Sequence, residues 1–176
     1  MAADTSNFSS CIKVYLAYDV LTMALTLEEN LEIDLSFLQK ELVDLKSIQA
    51  VNPNASLPFD YGLWKSFFNL KHDTKAYSYY VRFNDKRIGH FALKSSRDTD
   101  NNVFICFVYL KEEFRGKGFA KNLIRMAEEC VGLKFNALEY YLNVNTNNER
   151  AIAFYEKVGF KKTSQDSLNI QMMKRL

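Results

Sequence analysis

The stretch 110-LKEEFRGKGFAKNL-123 decides the fold. It joins a run of strand formers, 103-VFICFVYL-110, to a run of helix formers over 118–131. Gly116 and Gly118 alternate with Arg115 and Lys117. Strand, glycine loop and helix start together make a geometry that binds anions. The first N–H groups of a helix have no internal partner, and the helix dipole leaves partial positive charge there. Glycine lets those amides approach a ligand with no Cβ in the way. Two cationic side chains beside them favour a phosphate or pyrophosphate over a carboxylate. A P-loop would need Lys and then Ser or Thr after its second glycine, and Gly118-Phe119-Ala120-Lys121-Asn122 does not supply them. A dinucleotide fingerprint would need a third small residue and an early strand. Taken alone, the glycine pair fits a tight left-handed turn into a helix as well as it fits an anion cradle.

Working outward, Ala120, Leu123, Ile124, Ala127 and Val131 form one apolar stripe, with Lys121, Arg125, Glu128 and Glu129 outside it. The apolar run 103–110 reads as a central strand buried on both faces. A strand follows at 138–145, then a helix at 148–160 ended by Gly159, then strands at 160–165 and 167–176. Upstream, 76–83 and 87–96 flank an Asn-Asp-Lys turn as a hairpin, and 95–102 is a polar turn. The first third reads as a strand at 11–20 and a helix over 34–50 with Asp34 as its N-cap. The loop 51–59 then holds both prolines, and a short helix over 60–71 carries Trp64, Phe67 and Phe68. No repeat, linker or low-complexity tract interrupts the chain, so residues 1–176 read as a single domain.

Composition excludes several classes. With 48% hydrophobic and 25% charged residues and a net charge of +2, the chain reads as an ordinary globular protein. It lacks a nucleic-acid footprint, and no apolar run approaches the ~20 residues that span a bilayer. Cys11, Cys106 and Cys130 have no metal-ligand spacing and read as reduced thiols, so no metal is expected. The start of the chain has neither a basic nor an apolar leader region, so a cytoplasmic location is expected.

A second constellation resolves the glycine loop. Residues 142–160, LNVNTNNERAIAFYEKVGF, carry Asn148, Ala151, Ile152, Tyr155, Gly159 and Phe160 in register. With Arg115, Gly118 and Ala120 in the pattern R/Q-x-x-G-x-G/A, this resembles the GNAT superfamily of acetyl-CoA-dependent N-acetyltransferases. The match covers about residues 77–162; residues 20–70 match in outline and would form the acceptor side.

The resemblance implies a mixed α/β fold: a mostly antiparallel twisted sheet of six or seven strands, splayed at the acetyl-CoA site and flanked by about four helices. It implies that pantetheine pairs with the backbone of Val108, Tyr109 and Leu110, and that pyrophosphate is held by Arg115, Gly116, Lys117, Gly118, Phe119 and Ala120. Tyr155 would protonate or hydrogen-bond the departing sulfur, and Asn148 would contact the pantetheine arm or cap its helix. By its helical spacing alone Tyr155 is more often a core aromatic, and the motif brings the catalytic reading level with that one. The acceptor is an amine of open class, and the protein a monomer or homodimer. No general base is assigned. Phe104 and Cys106 occupy the strand positions where some family members carry Glu, and Glu112, Glu113, Glu139, Tyr141 and His90 are weaker alternatives. A catalytically silent module that binds coenzyme A or a protein partner is the competing expectation.

Overall fold

The computed structural model describes residues 25–69, 74–95 and 102–176. The strand expected at 11–20, Cys11 and most of the polar turn at 95–102 lie outside the described residues. Seven strands make one sheet: β1 (Leu25–Glu29), β2 (Ala76–Phe83), β3 (Lys86–Ser95), β4 (Val103–Leu110), β5 (Glu139–Asn145), β6 (Lys161–Gln165) and β7 (Asn169–Arg175). Their spatial order is β1-β2-β3-β4-β5-β7-β6, and only β4 and β5 run parallel. Helices α1 (Ser36–Glu41), α2 (Leu45–Val51) and α3 (Tyr61–Ser66) pack on one face, and α4 (Phe119–Phe135) and α5 (Glu149–Lys157) on the other. The expected mixed class and mostly antiparallel sheet are both present.

The helix expected over 34–50 is two helices, so five α-helices rather than about four stand among the described residues. Of the apolar residues that recur at helical spacing through 34–50, Leu35, Leu38, Leu42 and Ile48 are fully buried, whereas Leu45 is exposed. The continuity of the helix is broken by a local competitor. Asp44 accepts the Ser47 N–H at 2.8 Å while its own N–H donates to Ser47 Oγ at 3.3 Å, a reciprocal cap that starts α2 afresh. Asp34 is not a helix cap: Leu35 holds that position, and the Asp34 carboxylate accepts from Ser36 N–H and Oγ. Strand β1 falls between the strand expected at 11–20 and the helix expected at 34–50, where the sequence predicts no element. Glu28 is matched there by Arg82 and Arg87, and Glu29 by Lys134.

The central strand carries one irregularity. Between the pairs Ala92↔Cys106 and His90↔Tyr109, β4 holds one residue more than β3. Such a bulge reverses the alternation of side chains along the strand. Val103 and Ile105 join the core under α4, whereas Phe107 and Tyr109 join the core under α1–α3. Phe107 takes φ 52°, in the left-handed region. Its ring stacks on Trp64 at 4.6 Å and meets Phe67 at 4.6 Å. Around the bulge, Trp64 is core, and the partly buried Phe59, Tyr61, Phe67 and Phe68 pack against it.

Removal of the α2 cap gives a first test. Asp44→Ala should lower stability by about 1 kcal/mol in urea unfolding, with no change in the slope of the transition.

Candidate active site

Strands β4 and β5 pair at only two positions, Val103↔Tyr140 and Phe104↔Tyr141, and then part. The wedge between them encloses a cavity of about 40 Å³ bounded by Cys106, Val108, Asn143 and Val144, with Val51 of α2 and Tyr155 of α5 closing it. One wall of the cavity is the bulged stretch of β4. The break that begins α2 matters here, because it carries the end of that helix over the cleft.

At the head of α4 the chain turns through Gly116 (φ 75°) and Gly118 (φ 85°), conformations that favour glycine. Gly118 is the N-cap and offers no side chain to the helix. Five consecutive amides, from Gly116 to Ala120, donate to no acceptor among the described residues. No atom lies within 4 Å of where a Cβ would stand at either glycine. The loop is thus an exposed set of donors at the positive end of a helix of 17 residues.

Arg115 and Lys117 are both exposed, but their roles differ. Arg115 folds back, donating Nε–H to the Leu110 carbonyl at 2.8 Å, with its guanidinium 5.8 Å from the Tyr109 ring. The Leu110 carbonyl is therefore occupied, where free backbone was expected. Lys117 makes no ion pair among the described residues. The Tyr109 side chain points away from the cleft, donating its hydroxyl to Glu41 at 3.2 Å. Glu41 in turn pairs with Lys111.

Asn148 caps α5, its Oδ1 accepting the Ala151 N–H at 3.2 Å. That leaves its amide group as the end free to meet a ligand. Tyr155 lies against Phe154 and Phe160, each at 5.4 Å, and borders the cavity. Its hydroxyl has no partner among the described residues, and burial pushes its pKa upward, so it is a neutral donor.

Of the weaker candidates for a base, His90 and Glu139 are engaged in the fold, while Glu112 and Glu113 stand exposed beside the glycine loop. His90 is fully buried on β3, and burial pulls its pKa down to about 4. Burial pushes the Cys106 thiol up to about 12. Glu139 accepts the Tyr141 hydroxyl and lies 3.6 Å from Arg175. Among the described residues no group of His, Cys, Asp and Glu is placed to hold a metal, and no helix is long and apolar enough to cross a membrane. Sequence reading missed Val51, Asn143 and the bulge. The apolar run 103–110 offers no polar marker from which a phase change could be seen.

Residues 40–160 match the Acetyltransferase (GNAT) family. The chain belongs to that family and is an acetyltransferase. An N-alpha-acetyltransferase of Saccharolobus solfataricus is 45% identical over 51 residues, which span 29% of this chain and 30% of that protein. N-alpha-acetyltransferase 30 of Schizosaccharomyces pombe is 29% identical over 119 residues, covering 66% of this chain and 77% of that one. Among solved structures, the spermidine N-acetyltransferase of Vibrio cholerae in complex with CoA and spermine superposes with a TM-score of 0.65 at 22% identity. That superposition covers 86% of this chain and 95% of the other.

The depressed His90 pKa has a consequence for stability. Between pH 6.5 and 4 the unfolded histidine binds a proton that the native one refuses, so stability should fall as pH drops through that window. The loss should reach at most about 3 kcal/mol. Urea melts of wild type and His90→Asn across these pH values should differ by this slope, with the variant flatter.

Proposed function

We propose that the protein transfers acetyl from acetyl-CoA to a primary amine by direct attack on the thioester. The observation that carries this reading is the conjunction of a parted β4–β5 pair with a row of unpartnered amides at one end of the cleft. In this reading the amides of Gly116–Ala120 take the pyrophosphate, with Lys117 adding charge and Arg115 bracing the loop through Leu110. The pantetheine arm lies in the wedge as a substitute strand beside Val108, Tyr109 and Leu110. The amide group of Asn148 faces the arm from the start of α5.

The backbone N–H groups at the β4 bulge polarise the acetyl carbonyl. The amine nitrogen bonds to the carbonyl carbon, the C–S bond breaks, and the thiolate departs. Tyr155 acts by hydrogen bonding. Its pKa is pushed above the ordinary phenol value, while a thiol sits near ~8.5, so full proton transfer from the phenol would be uphill. The proton lost by the amine passes to water, since His90 is enclosed, Cys106 is held protonated and Glu139 is engaged.

For the acceptor, the α-amine of a polypeptide is favoured over a polyamine. Of the acids at 28–34, Glu28 and Glu29 are already spent on arginine and lysine partners and Asp34 is hydrogen-bonded to Ser36, which leaves Glu32 as the one without an ion pair among the described residues. A groove of about 290 Å³ across β5, β7 and β6 shares Asn143 with the cleft and is lined by neutral Ser164, Gln165, Asn169 and Gln171. The one acid there, Asp166, accepts two backbone amides. Neutral donors and acceptors suit a peptide backbone, whereas a polycation calls for several free acids. Two relatives named as N-alpha-acetyltransferases support the same choice.

Three outcomes test the reading. Coenzyme A should raise the melting temperature of the wild type and leave Gly118→Asp unmoved, because the variant combines a strained φ with a negative charge at the phosphate position. A thermal shift of equal size in the two proteins would remove the loop from the site. Tyr155→Phe should lower kcat by about 10²-fold while the KM for acetyl-CoA changes little. In a thiol-release assay, a short peptide with a free N-terminus should outpace spermidine; the reverse order would assign a polyamine acceptor.

A further inference from the structure

A buried polar chain runs through three neighbouring strands to the bulge in β4. It starts at the turn after β1, where Asn30 Oδ1 accepts the Asp34 N–H at 2.8 Å. That contact fixes which end of the amide is which, so Asn30 Nδ2 donates, to the Asp34 carbonyl at 2.8 Å and to Ser78 Oγ at 3.0 Å. Ser78 of β2 lies 2.9 Å from His90 Nε2, and His90 Nδ1 lies 2.9 Å from the Phe107 carbonyl. A carbonyl only accepts, so Nδ1 carries a proton. Full burial keeps the ring neutral, so with the proton on Nδ1 the bare Nε2 is an acceptor, and Ser78 Oγ donates its single proton to it while accepting from Asn30. The imidazole is thereby confined to one neutral tautomer, with every polar atom of the chain matched. Ser78 and His90 are 1% and 0% exposed, which leaves no solvent to share these bonds.

We propose that His90 is a positioning residue for acetyl transfer: its Nδ1–H pins the Phe107 carbonyl toward β3 and so sets the backbone of the bulge that lines the β4–β5 cleft. The inference rests on the acetyl-CoA reading above. Three features single out this role over ordinary core filling. The bond lands on the one residue of β4 held at positive φ, at the point where the ladder slips. The neighbouring residues Cys106 and Val108 are walls of the cavity. The remote end of the chain is anchored by main-chain groups of Asp34, just before α1. The site thus receives its shape from a histidine that neither meets solvent nor touches the reacting atoms.

Two substitutions separate the two ring nitrogens. The amide of Asn, attached at Cγ, overlays the Nδ1 position and keeps a donor to Phe107, whereas the longer Gln overlays Nε2 and keeps only the contact with Ser78. The readouts are the carbonyl ¹³C resonance of [1-¹³C]acetyl-CoA bound to each protein, and kcat and KM with the best acceptor from the panel above. His90→Asn should retain the downfield carbonyl shift of the wild type. His90→Gln should lose it, with kcat reduced about tenfold or more and the KM for acetyl-CoA within a few fold. Equal carbonyl shifts in the two variants, or rates that simply follow their melting temperatures, overturn the inference and leave the cofactor reading intact. Failure of acetyl-CoA to bind the wild type overturns both. A measurement needing no variant guards against misfolding: long-range ¹H–¹⁵N spectra of the wild type should show the Nδ1–H tautomer for the buried histidine, and an Nε2–H tautomer refutes the proposal outright.

Discussion

The architecture turns on one extra residue in the central strand. Without the bulge, β4 would present Val103, Ile105, Phe107 and Tyr109 to the same face and run on beside β5 as a regular pair. With it, Phe107 and Tyr109 cross to the α1–α3 core, and the strand stops pairing with β5 after Phe104. Holding a phenylalanine at positive φ costs on the order of 1–3 kcal/mol. Burying its ring contributes about 1.5–3 kcal/mol, and the His90 hydrogen bond about 1 more. The balance favours the bulge only because Trp64, Phe67 and His90 are all in place. A site built on main-chain geometry thus depends on side chains from α3 and β3 that never enter it.

The sequence was informative where local chemistry decides structure. Alternating Gly116 and Gly118 marked a left-handed turn into a helix, and both glycines do sit at positive φ in front of α4. The hairpin around Asn84 and Asp85, the stripe of α4 and the stop at Gly159 could be read for the same reason: turn and cap preferences act over a few residues. Reading failed where distant partners decide. Strand β1 exists because Glu28 finds two arginines on β2 and β3, more than fifty positions away. The Asp44 cap was legible in principle, as Asp-x-x-Ser, but the unbroken leucine spacing across it argued louder for a continuous helix. Nothing in VFICFVYL marks Phe107, because every residue in the run is apolar or nearly so and a shift of phase leaves the pattern unchanged.

The candidate site divides in the same way. Tyr155 and Asn148 were singled out by motif, and the fold puts one at the cavity wall and the other at the start of α5. Arg115 was singled out for its charge, yet its resolved contact is with a carbonyl at the end of β4. Sequence spacing identifies which residues stand near a loop. It does not say whether a guanidinium faces outward or back, which depends on which carbonyls the strand leaves unpaired.

That backward turn of Arg115 bears on how the loop would hold the proposed pyrophosphate. With its Nε committed to Leu110, the attraction on the proposed assignment comes first from five oriented amides and the helix dipole, equivalent to about half a unit charge, and then from Lys117. Amides fixed by backbone geometry need no reorganisation when the ligand arrives, whereas an exposed lysine loses side-chain freedom each time it engages. On that assignment the loop would select for shape before charge. A diphosphate with several acceptor oxygens can satisfy several amides at once, while a carboxylate of the same net charge reaches two. By bracing Leu110 against the loop, Arg115 joins the end of β4 to the head of α4, so the two surfaces that would grip opposite ends of one long ligand keep a fixed separation.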